Sequence, residues 1–133
     1  MNLQNKIALV TGGTKGIGAA AALALARDGA HLAISARHDD AEAKSTRDAI
    51  RALGRRCEFI PADFAKPAEA TRAVEETVRL LGGIDVLVHS AGGPVNGGLF
   101  EITPEQWQSA FDVHVHAIFY LCRAGNCIVL GRP

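Results

Sequence analysis

One stretch near the start of the chain decides the fold: Lys6-Ile7-Ala8-Leu9-Val10-Thr11-Gly12-Gly13-Thr14-Lys15-Gly16-Ile17-Gly18. An apolar run meets a glycine-rich turn, and an alanine-rich segment with helical spacing follows directly. Glycines in such a turn let the backbone approach an anion, and the free N–H groups at the start of a helix point toward it. The stretch therefore predicts a strand–turn–helix unit that binds a phosphate.

The rest of the chain repeats this alternation of strand and helix patterns. The predicted strands cover residues 7–10, 31–36, 57–60 and 86–89, and the predicted helices cover 17–27, 41–53, 67–81 and 104–124. The last helix has a capped start, because Thr103 precedes Pro104 and Gln106 can bond back to the cap. Buried-type strands that alternate with helices are typical of a parallel sheet covered on both faces. We therefore predict an α/β fold with a doubly wound parallel sheet, in a single domain over 1–133.

Composition excludes several classes of protein. The 133 residues contain 14 basic and 14 acidic side chains, so the chain lacks the basic field of a nucleic-acid binder. No apolar run approaches the roughly 18 residues that cross a membrane, and the first residues do not resemble a signal peptide. The three cysteines, Cys57, Cys122 and Cys127, are interpreted as buried free thiols. We expect a cytoplasmic protein that binds neither nucleic acid nor membrane.

Four segments leave the carboxyl ends of the predicted strands, where an open parallel sheet binds its ligands. The turn over 11–18 suits a pyrophosphate. Arg37 follows the second strand, where a basic side chain would accept the 2′-phosphate of a ribose. Asp63 could accept a hydrogen bond from an adenine amino group, and Gly92-Gly93 allows the backbone to approach a nicotinamide.

These motifs together resemble those of the short-chain dehydrogenase/reductase family. The resemblance rests on the turn over 11–18, on Asp63, and on Ser90-Ala91-Gly92, and it extends to about Arg123. It implies a Rossmann-like fold and a nicotinamide cofactor, and the basic residues at Lys15 and Arg37 imply NADP(H) in preference to NAD(H). The residues that the resemblance implies for cofactor binding are Gly12, Thr14, Lys15, Gly16, Ile17, Gly18, Arg37, Asp63, Phe64, Ser90, Ala91 and Gly92.

Two asparagines of the family pattern are replaced by histidine in this chain. The family's Asn-Asn-Ala-Gly motif reads His89-Ser90-Ala91-Gly92, and its helical asparagine aligns with His114. His114 and His116 are two positions apart on a helix, so they point to different sides and cannot easily share a metal ion. His89 and His114 are better placed for one, but drift at both positions is the simpler interpretation. We therefore expect no metal site.

The residues that would carry out catalysis in the family have no counterpart in the sequence. Proton transfer there uses a Tyr-x-x-x-Lys pair, in which the lysine lowers the pKa of the tyrosine. The only tyrosine is Tyr120, Ala124 stands four positions later, and no lysine follows Lys66. The catalytic serine is also missing, because the last serine is Ser109. No catalytic residue is predicted.

The chain has roughly half the length that the resemblance leads one to expect. The sheet is expected to stop after its fourth or fifth strand, with residues 125–133 forming a stub of a fifth strand (127–130) or a non-native tail. In the family, the helix over 104–124 commonly packs against its counterpart in a second subunit, which implies a homo-oligomer or pairing with a full-length relative. Three hypotheses follow: an NADP(H)-binding, non-catalytic member of an oxidoreductase family acting on carbonyl or hydroxyl groups; a regulatory cofactor-binding or oligomer-forming protein; and a truncated gene product.

Overall fold

The four predicted strands form one parallel sheet in the computed structural model, which describes residues 2–129 and the side chains of residues 2–126. They are β1 (Ile7–Thr11), β2 (His31–Ala36), β3 (Cys57–Pro61) and β4 (Val86–His89). Their order across the sheet is β3-β2-β1-β4, and each neighbouring pair is parallel. The chain winds first to one side of β1 and then crosses to the other, which opens a crevice at the carboxyl ends of β1 and β4. The predicted fold class is confirmed.

Helices follow each strand, and most begin and end where the sequence predicts. They are α1 (Gly16–Arg27), α2 (Ala41–Ala52), α3 (Pro67–Leu81), α4 (Pro104–Phe111), a π-helical segment (Asp112–His116) and α5 (Ala117–Val129). Helix α3 ends at Gly82, whose φ of 97° is the left-handed conformation that glycine adopts readily. The predicted cap of α4 is confirmed: the Gln106 amide donates to Thr103 Oγ1 at 3.2 Å, and the Thr103 amide donates to Gln106 Oε1 at 2.9 Å.

Helices cover both faces of the sheet because successive side chains of each strand point to opposite sides. Leu9 of β1 packs on the face covered by α3 and α5, beside Val74 and Leu121. Its neighbour Val10 packs on the other face, beside Ala22 of α1 and Ile50 of α2. Two apolar cores therefore hold one sheet, and strand ends are free to form a site at its carboxyl edge.

The predicted helix over 104–124 is wrong in two respects. A π-helical segment of five residues interrupts it, and α5 continues to Val129. The expected fifth strand over 127–130 is therefore wrong for residues 127–129, while Leu130 lies outside the described residues. The physical reason is tertiary: Ala117 and Leu121, four positions apart, are buried against α3, and this packing carries the helix past Gly125.

The cysteines differ from each other in exposure. Cys57 is buried in β3 as expected, and burial raises the pKa of its thiol to about 12. Cys122 is exposed, which corrects the expectation of a buried thiol, because it borders an open groove between α5 and β4. The side chain of Cys127 lies outside the described residues. Within the described part of the chain, none of the helices combines the length and apolar character needed to cross a bilayer.

Candidate functional site

The glycine-rich turn after β1 is shaped by close contacts within the protein itself. Gly12 has a φ of 64°, and a Cβ atom there would lie 2.6 Å from the carbonyl oxygen of Ser90. A Cβ atom on Gly18 would lie 2.1 Å from the carbonyl oxygen of Gly12. Both glycines are thus required by packing of the turn against β4 and α1. Gly16, by contrast, has open space around the position that a Cβ atom would occupy.

Helix α1 begins at this turn without a side-chain cap. Lys15 is the N-cap residue, and its side chain makes no capping hydrogen bond to the amides of the first turn. The first turn also carries no acidic residue. The N–H groups of the first turn of a helix have no partner inside the helix, and the helix dipole adds a partial positive charge there. The start of α1 therefore offers unpaired donors that suit an anion such as a pyrophosphate.

The structure brings every predicted cofactor-binding residue to one cleft of about 1160 Å³ at the carboxyl ends of the strands. These residues come from four separate loops, as the strand order requires. Lining this cleft are Gly12, Thr14, Lys15, Gly16, Ile17, Gly18, Arg37, Asp63, Phe64, Ser90, Ala91 and Gly92.

The cleft has a further wall that the sequence did not predict. Gln106, Ser109, Ala110 and Val113 line it from α4 and the π-helical segment. Their spacing of three and four residues puts them on one helical face, opposite Trp107 and Phe111. This spacing is the sequence feature from which the wall could have been predicted. The polar and small residues of that face stand where a ligand can approach.

Charged groups of the cleft differ in how they are engaged. Lys15 Nζ lies 3.4 Å from Glu42 Oε2 in an exposed ion pair. Arg37 is exposed, and its side chain has no partner within residues 2–126. Asp63 accepts a hydrogen bond from the Ala65 amide at 3.1 Å and lies 3.8 Å from Lys66 Nζ. Arg37 is thus the cation most available to a ligand, whereas Asp63 also has a structural partner.

His89 joins the carboxyl ends of β1 and β4 next to residues that line the cleft. Its Nδ1 lies 2.8 Å from Thr11 Oγ1, and its Nε2 lies 2.8 Å from the carbonyl oxygen of Val113. Thr11 Oγ1 also accepts the amides of Ser90 and Ala91, each at 3.2 Å. Burial lowers the pKa of His89, the bond to the Val113 carbonyl opposes this, and nearby His114 lowers the pKa further.

His114 forms part of the cleft wall through the π-helical segment. Its ring fills the space above Gly92, where a Cβ atom would lie 2.0 Å from His114 Cε1, and its Nε2 lies 3.1 Å from the carbonyl oxygen of Gly93. His116 points elsewhere and bonds Asp112 at 3.0 Å. In the part of the chain that the structure describes, no three His, Cys, Asp or Glu side chains are grouped to hold a metal ion.

Tyr120 lies outside the cleft. It packs against the core formed with α3, and its ring meets that of Phe119 at a centroid distance of 5.2 Å. The phenol is therefore not placed to exchange a proton with a molecule bound near Ser90 and Gly92.

Comparisons with known proteins agree with this geometry. The family model for the short chain dehydrogenases matches residues 6–128. General stress protein 39 of Bacillus subtilis is 36% identical over 122 residues, which are 91% of this chain and 43% of that protein. The chain thus spans about half the length of the curated relatives it matches.

Two solved structures are similar over nearly the whole chain. A short chain dehydrogenase from Burkholderia cenocepacia in complex with NADP matches with a TM-score of 0.90 and 40% identity, covering 94% of this chain and 51% of that one. The NADH-dependent reductase A1-R′ complexed with NAD matches with a TM-score of 0.88 and 31% identity, covering 97% of this chain and 54% of that one.

Proposed function

The chain belongs to the short-chain dehydrogenase family, and from this premise we propose that it binds NADP(H), in preference to NAD(H), in the cleft at the carboxyl ends of its strands. The observation that carries the proposal is the uncapped start of α1, which opens on the same cleft as Lys15 and Arg37. Solved relatives support a nicotinamide dinucleotide as the ligand, since one is a complex with NADP and another a complex with NAD.

Each of the four loops binds a different part of the dinucleotide. The turn from Gly12 to Gly18 receives the pyrophosphate at the unpaired amides of α1. Arg37 and Lys15 bind the 2′-phosphate. To do so, Lys15 must give up its ion pair with Glu42 and form one with the ligand. Asp63 and Phe64 flank the adenine, and the backbone of 90–92 borders the nicotinamide, which supplies hydride chemistry when bound.

We further propose that these 133 residues bind the cofactor without turning over a carbonyl or hydroxyl substrate. A hydride transfer to a carbonyl requires a positioned acid for the oxygen, and the sequence has no Tyr-x-x-x-Lys pair. Tyr120 lies in the core and not in the cleft. Binding without oxidation or reduction of any added carbonyl or alcohol is the expected behaviour of this chain.

Calorimetric titration with NADP⁺ and NAD⁺ tests the proposal. We expect NADP⁺ to bind more tightly, and Arg37→Asp to weaken NADP⁺ by about tenfold or more while affecting NAD⁺ much less, because one charge-assisted contact contributes roughly 1.5–3 kcal/mol. Arg27→Asp is the matched control, since it makes the same charge change at the opposite end of α1. Failure of both nucleotides to bind would overturn the proposal, and an unchanged preference in Arg37→Asp would remove Arg37 from the site.

A second candidate is a regulatory, oligomer-forming protein. It is favoured by large apolar side chains exposed along α4, the π-helical segment and α5: Trp107, Phe111, Val115, Ile118 and Phe119. This surface would pair with a second copy or with a full-length relative. The remaining alternative, a truncated gene product without activity, is favoured if the recombinant chain folds poorly. The intact mass of the natural protein answers a separate question: a mass near 14.0 kDa indicates a short protein, and about double that mass a fragment of a longer enzyme.

A further inference from the structure

The hydroxyl of Thr11 has three hydrogen-bond partners, and the donor and acceptor in each bond can be assigned. The Ala91 amide donates to it, and the Ser90 amide is shared between this hydroxyl, at 3.2 Å, and the Thr11 carbonyl oxygen, at 3.1 Å. An amide N–H group can only donate. Its own hydrogen must therefore go to His89 Nδ1, which accepts at 2.8 Å. On the other side of the ring, the Val113 carbonyl can only accept, so His89 Nε2 carries the proton. The arrangement requires a neutral His89 with its hydrogen on Nε2.

This set of hydrogen bonds holds together parts of the cleft that are distant in sequence. Thr11 ends β1, His89 ends β4, and Val113 belongs to the π-helical segment. The backbone of Ser90 and Ala91, which Thr11 holds, lines the cleft together with Val113. A change at His89 should therefore affect lining residues on two sides of the cleft, the backbone of Ser90 and Ala91 and that of Val113.

A second proton on His89 cannot be accommodated by this arrangement. The new Nδ1–H group would face Thr11 Oγ1, which already accepts two amides, and a hydroxyl oxygen has only two lone pairs. The hydroxyl hydrogen would also lose its acceptor. Protonation must therefore break the Thr11–His89 contact or displace an amide from Thr11 Oγ1. The Ser90 amide would keep its bond to the Thr11 carbonyl oxygen, whereas the Ala91 amide has no second acceptor among the described residues.

Among the described residues, the groups that surround the ring give the imidazolium no compensating charge. Thr11 from β1 and Phe64 from the loop after β3 face the ring and are uncharged. From the π-helical segment His114 faces it and would repel a positive charge, while Asp112 is bonded to His116 and Gln108. Near Phe64, Asp63 is paired with Lys66. Burial, the largest cause of the lowered pKa of His89, acts in the same direction.

We propose that His89 is a positioning residue that makes this cleft sensitive to pH: neutral, it clamps the loop of residues 90–92 against β1, and protonated, it releases that loop and weakens nucleotide binding. The effect on affinity rests on the function proposed above, whereas the clamp itself is a property of the ligand-free chain. No carboxylate takes part, so acid weakens the clamp and neutral pH restores it. The release begins as the pH falls below about 6.5, the value for a free histidine, and is complete below the lower pKa of the folded protein.

The decisive experiment compares the parent chain with His89→Asn over the range from about pH 8 to about pH 5. The Asn Oδ1 atom can accept the Thr11 hydrogen but does not titrate, so this variant keeps half of the clamp and loses its pH response. Calorimetry with NADP⁺ is expected to give a dissociation constant that rises more steeply in the parent, by up to about tenfold per pH unit, the limit for one coupled proton. The ligand's own titration is common to both proteins and cancels. Parallel profiles would overturn the proposal.

His31→Asn is the matched control. Burial and the nearby Arg55 and Arg56 lower the pKa of His31, so it also destabilises the fold in acid. It lies at the start of β2, at the amino ends of the strands and away from the cleft at their carboxyl ends. Removing it should change the acid stability of the protein and leave the pH dependence of NADP⁺ affinity as in the parent. A loss of that dependence in His31→Asn would contradict the assignment to His89.

Nuclear magnetic resonance of the ligand-free chain separates this inference from the proposed function. We expect the His89 ring to carry its hydrogen on Nε2 at pH 7, and the amide of Ala91 to exchange with solvent faster once His89 is protonated. The Ser90 amide should change less, because it also bonds the Thr11 carbonyl oxygen. The Ala91 amide should not respond in His89→Asn. If NADP⁺ fails to bind, the proposed function falls while these signals still decide the clamp; a hydrogen on Nδ1, or exchange that ignores protonation of His89, would overturn it.

Discussion

At the scale of single residues, glycines in the cleft serve two physical purposes that their identity alone does not reveal. Gly12 and Gly18 are needed because neighbouring backbone lies where a side chain would begin. A Cβ atom would fit at Gly16, so glycine is favoured there only because its φ of 55° lies in a region that other residues rarely adopt. The same residue type is therefore required at one position by packing and at another by the backbone.

Gly12→Ala tests this distinction against Gly54→Ala. Both glycines have positive φ, at 64° and 75°, but a Cβ atom at Gly54 meets nothing within 4 Å. We expect Gly54→Ala to lower the free energy of unfolding by about 1 kcal/mol, the cost of strain alone. Gly12→Ala should cost more than about 2 kcal/mol, since it adds a clash with Ser90 and Ala91. Urea denaturation of the two variants measures the difference, and equal losses would show that the turn yields to the new side chain.

At the scale of elements, helix α2 supports the glycine-rich turn from behind. The hydroxyl of Thr46 donates to the carbonyl oxygen of Thr14 at 2.8 Å, and Thr46 is buried. This bond fixes a carbonyl of the turn away from the cleft, so that amides rather than carbonyls face a ligand. The turn proposed to bind the anion is thus supported by a helix that contributes no residue to the lining of the cleft.

Thr46→Val removes this bond with little change in shape. We expect a loss of about 1–3 kcal/mol in the free energy of unfolding, because the Thr14 carbonyl loses its donor in a buried place. NADP⁺ affinity should fall as well, since the turn is free to rotate. Thr71→Val is the control: its hydroxyl donates to the Pro67 carbonyl at 3.4 Å on an exposed part of α3, so stability should hardly change. Urea denaturation and calorimetry on both variants test this, and equal effects would contradict it.

Local signals explain which elements could be predicted from the sequence. The strand–turn–helix of residues 7–27 was predictable because apolar runs, glycines and helical spacing lie in one stretch. The hydrogen bond between His89 and Thr11 joins residues 78 positions apart, and no local sequence pattern around either residue predicts it. The packing of the His114 ring over Gly92 likewise joins residues that are distant in the sequence. Contacts between residues far apart in the sequence therefore set the features of the site that could not be predicted from local patterns.

At the scale of the whole molecule, apolar surface remains exposed on one side. Strand β4 forms an edge of the sheet, and its residues are half-buried. Beside it α5 exposes Ile118 and Phe119, at 43% and 58% of their full area. Exposed apolar surface of this kind marks an interaction site or an aggregation hazard. The second candidate function makes use of this side of the molecule.

Phe119→Asp tests association through the helices. If a second copy covers this surface, a buried charge should dissociate the pair, and sedimentation velocity should show the change from dimer to monomer. Leu99→Asp is the control, since Leu99 is 83% exposed in the loop before α4 and lies outside the helical surface. A parent chain that sediments as a monomer at high concentration would exclude self-association, and a dimer that survives Phe119→Asp would move the contact elsewhere.

The clamp at Thr11 also bears on the order in which the chain can mature during synthesis. Its members stand at positions 11, 89 to 91 and 113, so the clamp cannot form until residue 113 has left the ribosome. A nascent chain that stops after β3 has the glycine-rich turn and Arg37 but nothing to hold the opposite wall. Because contacts so distant along the chain form late, the proposed competence to bind a nucleotide should appear only after all four strands have paired. A bound nucleotide would consequently stabilise finished molecules over unfinished ones.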